Sequence, residues 1–160
     1  MKKWRASGSS RSQINAGPAG SCTQRKPPLG CGSVNIIGLG LDATDIPRIR
    51  ATIERYGERF THRIFTEAEV AYCMRRHDPA IHFAGRFASK EAAMKALGTG
   101  HSQGVLWRDV EVVRQPGGPP QLRLHGGAAR RFAKIGGRSS QLTITHSDAL
   151  AFAQVILLGE

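Results

Sequence analysis

Two carboxylates carry the first chemical signal in this 160-residue sequence. Asp42 follows directly on the apolar run Val34-Asn-Ile-Ile-Gly-Leu-Gly-Leu41, and Glu91 stands in Lys90-Glu-Ala-Ala-Met-Lys95. Each has an ordinary reading on its own. Asp42 is then a loop or cap aspartate, and Glu91 a partly solvated helix glutamate paired with Lys95 four residues on, worth on the order of a few tenths of a kcal/mol. Together they read differently. Two carboxylates on rigid elements, with Lys90 and Lys95 nearby, suit Mg²⁺ bound to a substrate phosphate, because Mg²⁺ takes one or two protein oxygens and leaves the rest to phosphates and water. His146 ends a predicted strand at a turn, where an imidazole either makes a surface hydrogen bond or points toward a ligand phosphate. Gly38-Leu39-Gly40 lacks the third glycine and the immediate helix of a dinucleotide fingerprint, and there is no G-x-x-x-x-G-K-[ST] run, so Rossmann and P-loop readings are disfavoured.

These groups need elements to hold them. Val34 to Leu41 reads as a buried strand that opens into a loop at Asp42. Asp45 can cap a helix whose apolar positions Ile46, Ile49, Ile53, Tyr56 and Phe60 recur at three- and four-residue spacing, with Pro47 in its first turn. Its other faces carry Arg48, Arg50, Arg55 and Arg59. A second helix starts at Thr66, with Glu69 completing a capping box, and runs to about Arg76. Cys73 on it is expected to be a buried small hydrophobe. A third helix from His82 to Gly98 puts Phe83, Phe87, Met94 and Leu97 on one stripe, with Glu91 at its border and Lys95 one turn on. Strands over Val110 to Arg114, Gln121 to His125, Gln141 to His146 and Ala149 to Leu158 follow, with a short helix over Ala128 to Ile135. The pattern predicts an α+β domain, a small antiparallel sheet packed with helices.

Composition sets the outer limits. The length fits one domain, and the three cysteines, Cys22, Cys31 and Cys73, have neither CxxC spacing nor a His cluster, so a disulfide scaffold and a zinc module are excluded and a reducing compartment is expected. The longest apolar stretch, Ala149 to Leu158, is far short of the roughly 20 residues that cross a bilayer, so no membrane partner is expected. The net charge of +11 invites a nucleic-acid reading. Its distribution argues otherwise. Residues 1–33 hold Lys2, Lys3, Arg5, Arg11, Arg25 and Lys26 with no acid, so six of the charges sit in a Ser/Gly/Pro-rich tail and five on residues 34–160. That tail reads as disordered, as an organelle presequence, or as translation from a start upstream of the true one. Aromatic content of 6% leaves few stacking platforms, so no nucleic-acid partner is expected.

Four strings then stand in order: Ile37-Gly-Leu-Gly-Leu-Asp42-Ala-Thr-Asp45-Ile-Pro-Arg48-Ile, Arg63-Ile-Phe-Thr66-Glu-Ala-Glu69, Gly85-Arg-Phe-Ala-Ser-Lys90-Glu91-Ala-Ala-Met-Lys95-Ala-Leu-Gly-Thr-Gly100, and Leu142-Thr-Ile-Thr-His146-Ser. This set resembles the holo-acyl-carrier-protein synthases, from Val34 to the C-terminus. The F-A-x-K-E-A-x-x-K core followed by G-T-G is its most specific part. The resemblance implies a cytoplasmic 4′-phosphopantetheinyl transferase of fatty-acid or polyketide biosynthesis, with that family's fold. Its substrates would be coenzyme A and an apo acyl carrier protein, its cofactor Mg²⁺, and its assembly a homotrimer with active sites shared between neighbours. It further implies that Asp42 and Glu91 hold Mg²⁺, that Lys95 stabilises or protonates the leaving phosphate, and that Arg86, Lys90 and His146 bind coenzyme A phosphates. Arg48 matches a family position that contacts the acidic carrier protein, and Arg50 and Arg55 are expected to join it. Glu91 and a metal-bound water both stand as acceptors of the serine proton. Asp45 departs from the family, where many members have glutamate, and the tail has no family counterpart.

Overall fold

The structure, a computed structural model, describes residues 34–100 and 102–160, and the tail expected over residues 1–33 lies outside them. The elements are β1 (Asn35–Asp45), α1 (Ile46–Tyr56), α2 (Glu58–Ile64), α3 (Glu67–Met74), α4 (Pro79–Leu97), a 3₁₀ turn (Trp107–Asp109), β2 (Val110–Arg114), β3 (Pro120–Leu124), α5 (Gly126–Lys134), β4 (Gly137–His146) and β5 (Leu150–Gly159). The α+β class holds, but the one expected sheet is two: an antiparallel triplet in the order β1-β5-β4 and a separate hairpin β2-β3. No helix among the described residues is long and apolar enough to cross a membrane.

Helix α4 is the axle. It begins three residues before the expected His82, because Asp78 accepts a hydrogen bond from Ala80 N at 3.1 Å and Pro79 occupies the first turn. It ends as expected at Gly98, with φ of 68°. Thirteen of its nineteen residues are buried, so it is no surface helix with one apolar stripe. Ala84, Ala88, Ala92, Ala93 and Ala96 fill the sides between the large residues Phe83, Met94 and Leu97, and small side chains let several elements close on it.

One of those elements is β1. A Cβ at Gly38 would lie 2.3 Å from the Ala96 carbonyl oxygen, and one at Gly40 would lie 1.8 Å from that of Ala92. The two glycines let strand backbone rest directly on helix backbone, which is the use of the Gly38-Leu-Gly40 run that failed as a nucleotide fingerprint. The strand does not stop at Leu41. It pairs with β5 through Asp45, and Asp42 sits opposite Ala153, so Asp42 is a strand residue and not a loop residue. The reason is the partner: β5 runs the full length alongside and satisfies the β1 backbone.

The helix expected to run through Phe60 is broken at Gly57, which takes φ of 52° and ends α1. Tyr56 is therefore 48% exposed, while Phe60, on α2, packs edge-on against Phe65 at 6.1 Å. The caps at Asp45, whose carboxylate accepts from Arg48 N at 2.7 Å, and at Thr66, with its reciprocal Glu69, are formed as the sequence predicts. Cys73 is fully buried, and burial pushes its thiol up to about 11.

Alternation along β1 turns Leu39 and Leu41 away from α4, where they are 59% and 60% exposed. With Ile36 they make an apolar open face on the triplet sheet. Replacing Gly40 by alanine would press a methyl into the Ala92 carbonyl, and the strand must lift off the helix. We expect Gly40→Ala to cost about 1–3 kcal/mol in urea denaturation, while Leu39→Ala on the open face leaves the stability of the isolated chain nearly unchanged.

Candidate functional site

The close approach of β1 to α4 brings Asp42 against the last turns of the helix. Lys95 Nζ donates to Asp42 Oδ1 at 2.8 Å and to the Leu41 carbonyl at 3.0 Å, so two of its three donors hold strand to helix. Asp42 Oδ2 accepts from Thr44 Oγ1 at 2.9 Å. Thr44 was absent from the sequence reading, although a strand places residue i+2 on the same face and that spacing was available. Asp42, Glu91 and Arg48 line one cleft of about 480 Å³, with Ile49, Phe60 and Phe87 as its apolar wall. The Asp42 side chain is only 15% exposed and Lys95 is 50% exposed. The pair is therefore anchored at its acid end and reaches solvent at its basic end.

A metal ion fits this donor set in one way. Among the described residues no group of three or more His, Cys, Asp or Glu side chains gathers into a protein cage. Of the three carboxylates that line the cleft, Asp45 is taken up as the cap of α1, and the remaining two, Asp42 and Glu91, match Mg²⁺, whose other positions go to water and ligand phosphate, and do not match a structural zinc site.

Further toward the N-terminus of α4, Arg86 faces a second cavity, of about 220 Å³, together with His82, Arg114 and His146. Arg86 is 6% exposed, and among the described residues its Nε is the one buried side-chain nitrogen or oxygen without a hydrogen-bond partner. Its guanidinium carbon lies 3.9 Å from the centre of the Tyr72 ring, and that of Arg76 lies 4.2 Å from it. Burial raises the Tyr72 phenol, but a hydrogen bond from Arg114 and the charges of Arg76, Arg86 and Arg114 outweigh it and leave the group below the ordinary tyrosine value. Burial, with the charges of Arg86 and Arg76, also holds His82 below the usual histidine range. The cavity is positive and carries no carboxylate on its lining. Sequence reasoning found Arg86 and His146 through the family strings and missed Tyr72 and Arg114, which come from α3 and β2 and share no motif with them.

Residues 38–151 match the model of the 4′-phosphopantetheinyl transferase superfamily. The holo-[acyl-carrier-protein] synthase of Koribacter versatilis is 48% identical over 122 residues, covering 76% of this chain and 98% of that protein. That of Methylobacterium radiotolerans is 51% identical over 127 residues, covering 78% of this chain and 93% of that protein. The chain belongs to the 4′-phosphopantetheinyl transferase superfamily. Solved structures of holo-[acyl-carrier-protein] synthases share its fold. The Neisseria meningitidis structure superposes with a TM-score of 0.71 at 27% identity, covering 77% of this chain and 98% of that one. The Helicobacter pylori structure, in complex with coenzyme A, gives 0.66 at 26% identity, covering 74% and 98%.

For a phosphopantetheinyl transferase, one expected ligand residue needs correction. Lys90, assigned to coenzyme A phosphates with Arg86 and His146, is wholly buried. Its ammonium donates to Glu69 Oε2 at 2.8 Å, to the Trp107 carbonyl at 3.1 Å and to the Val110 carbonyl, which uses all three donors on protein oxygens. Glu69 is 1% exposed and accepts in addition from Val112 N at 3.0 Å and, in the capping box, from Thr66 N at 2.9 Å. Burial pushes the Lys90 ammonium below the ordinary lysine value against the raising pull of Glu69. Lys90 thus ties α4 to α3 and to the start of β2 and has no donor left for a phosphate. No local pattern signals this pairing, since the partners lie 21 residues apart.

The arginines of the transferase's first helix divide as well. Arg48 reaches the cleft of Asp42 and Glu91. Arg50 pairs with Asp78 at 2.7 Å and so fastens α1 to the cap of α4, while Arg55 lies over the Tyr56 ring at 5.1 Å. Removing one partner of the buried pair leaves the other charge uncompensated. We expect Lys90→Met to destabilise the chain by about 3–5 kcal/mol in denaturant titrations, and Lys90→Met with Glu69→Gln to recover part of that loss.

Proposed function

We propose that this chain transfers the 4′-phosphopantetheine arm of coenzyme A to a serine hydroxyl of an apo acyl carrier protein, releasing adenosine 3′,5′-bisphosphate. The observation that carries the reading is the meeting of Asp42 and Glu91 at one cleft, with Lys95 paired to Asp42, on a helix whose earlier turn presents Arg86 to a carboxylate-free cavity. In the reaction the serine oxygen forms a bond to the β-phosphorus of the diphosphate. The bond from that phosphorus to the oxygen bridging it to the α-phosphate breaks, and the serine proton passes to an acceptor in the cleft. Negative charge grows on the departing phosphate, so positioning and electrostatic stabilisation dominate.

Each side chain has a place in that scheme. Arg86 and His146 bind phosphates of coenzyme A from the positive cavity. Lys95, held by Asp42 and the Leu41 carbonyl, offers its remaining donor to the phosphate that leaves. Asp42 and Glu91 would hold Mg²⁺, which would supply charge neutralisation to the diphosphate. Arg48 stands at the rim, where an acidic carrier protein meets it, and the association rate falls with salt. The apolar wall of Ile49, Phe60 and Phe87 suits a carrier surface or the pantetheine arm. The open sheet face, with Ile36, Leu39 and Leu41 each more than half exposed, supports self-association, and the homotrimer is the assembly proposed for it. The work belongs to fatty-acid or polyketide synthesis in the cytoplasm.

The test is mass spectrometry of apo acyl carrier protein after incubation with coenzyme A, Mg²⁺ and the protein. A mass gain of one phosphopantetheine arm is expected. Asp42→Asn and Glu91→Gln are each expected to lower kcat by about 10²-fold or more. No gain with the unmodified chain, or full activity with both carboxylates replaced, defeats the reading. Light scattering on the purified protein is expected to give three times the monomer mass, falling to one in Leu39→Asp/Leu41→Asp.

A further inference from the structure

The positive cavity poses an electrostatic problem that the proposed reaction does not explain. Arg76, Arg86 and Arg114 converge on Tyr72, with His82 and His146 beside them. Neither that cavity nor the adjoining groove lined by Arg75, Arg76 and Arg114 has a carboxylate among its lining residues. Three guanidiniums at such distances repel one another, and one of them, Arg86, is nearly out of water. Elsewhere this chain settles a comparable problem with an acid, as Glu69 does for Lys90 and Asp78 for Arg50. Here it uses an aromatic ring.

We infer that Tyr72 is a positioning residue that holds Arg86 and Arg76 on its ring as an uncharged counter-group, so that their N–H donors stay available for ligand phosphate. The physical distinction is between two ways of stabilising a cation. A carboxylate takes the guanidinium N–H groups in their own plane, neutralises the charge, and competes with any incoming phosphate. An aromatic face attracts the guanidinium through the ring quadrupole and leaves its in-plane donors unused. The bonds found agree with this. Arg86 Nε is buried without a partner, Nη1 makes a long 3.5 Å contact to the His82 carbonyl, and the one other side chain near enough to take a donor is the Cys73 thiol, which burial keeps uncharged. Arg114 lines the same space as Tyr72, and its charge favours the phenol oxygen side of the ring, which accommodates the third cation without spending an acid on it. The edge of the His82 ring meets Tyr72 at 6.0 Å and closes the remaining side. This inference rests on the proposed function for the identity of the ligand and extends it to a residue that acts through the arginines it carries.

The experiment separates the ring's electrostatics from its shape. Adenosine 3′,5′-bisphosphate is titrated calorimetrically into the full chain and into forms with Tyr72→Phe, Tyr72→Leu, and pentafluorophenylalanine at position 72, whose shape is close to phenylalanine but whose ring no longer attracts cations. Tyr72→Phe is expected to bind within about threefold of the unmodified chain, and the fluorinated form about three- to thirty-fold more weakly, as the loss of such contacts implies. In transfer assays the KM for coenzyme A rises by the same factor, while kcat and the KM for the carrier protein hold. Equal binding by the phenylalanine and fluorinated forms overturns the inference, and so does a fall shared equally by kcat and both KM values. The fluorinated form keeps the test decisive if Tyr72→Leu does not fold. Absence of nucleotide binding by the unmodified chain overturns the proposed function itself, and is distinguishable from a failure at Tyr72 alone.

Discussion

The backbone contact of β1 with α4 is the constraint on which the rest depends. Gly38 and Gly40 remove the side chains that would hold strand and helix apart, and Ala92 and Ala96 do the same from the helix. Side chains at those two glycine positions would lift the strand off the helix and carry Asp42 and the Leu41 carbonyl away from Lys95. With the side chains gone, Lys95 reaches both the Asp42 carboxylate and the Leu41 carbonyl. Glu91 faces the same cleft one turn earlier. The chemistry of the first site is thus a consequence of two missing Cβ atoms.

A second interaction fixes the helix about its axis. Lys90 is adjacent in sequence to Glu91 and points the other way, into Glu69 and the carbonyls of Trp107 and Val110. A buried pair of this kind contributes little net stability compared with an apolar replacement, because desolvation offsets most of the attraction. Its value here is orientation: an ammonium satisfied at three fixed oxygens permits one rotation of α4, and that rotation presents Glu91 and Lys95 to β1. Neighbouring residues in one Lys-Glu dipeptide therefore serve the scaffold and the site separately.

Local signals were legible where local physics decides the outcome. The caps at Asp45 and Thr66, the stop at Gly98 and the pairing of β2 with β3 all follow from short-range hydrogen bonding and are readable residue by residue. The membership of Asp42, Glu91 and Lys95 in one site was readable only through the family strings, since no spacing rule links positions that far apart. What the sequence hid was long-range. The extension of β1 past Leu41 depends on β5, more than a hundred residues later. The placement of Lys90 depends on Glu69, and the grouping of Arg86 with Tyr72 depends on how α3 lies across α4. The break at Gly57 is hidden for a different reason: the apolar spacing continues across it, and only the backbone's turn to positive φ ends the helix.

The two cavities solve opposite requirements with the same kind of side chain. In the first, Lys95 is held at a fixed point by the Asp42 carboxylate and the Leu41 carbonyl, and an acid is a suitable anchor there because the lysine remains half exposed and keeps one donor. In the second, which the proposed function assigns to ligand phosphate, the arginines stand on the Tyr72 ring instead. A carboxylate there would lower the positive potential that draws the ligand in and would have to be displaced at each turnover. An aromatic ring avoids both costs. The net charge of +5 on residues 34–160 is consequently not spread as a featureless basic surface. Where a cation serves the fold, as Lys90 and Arg50 do, an acid lies within 2.8 Å of it; where it is free to meet an anionic ligand, as Arg86 is, no acid lines the space in front of it.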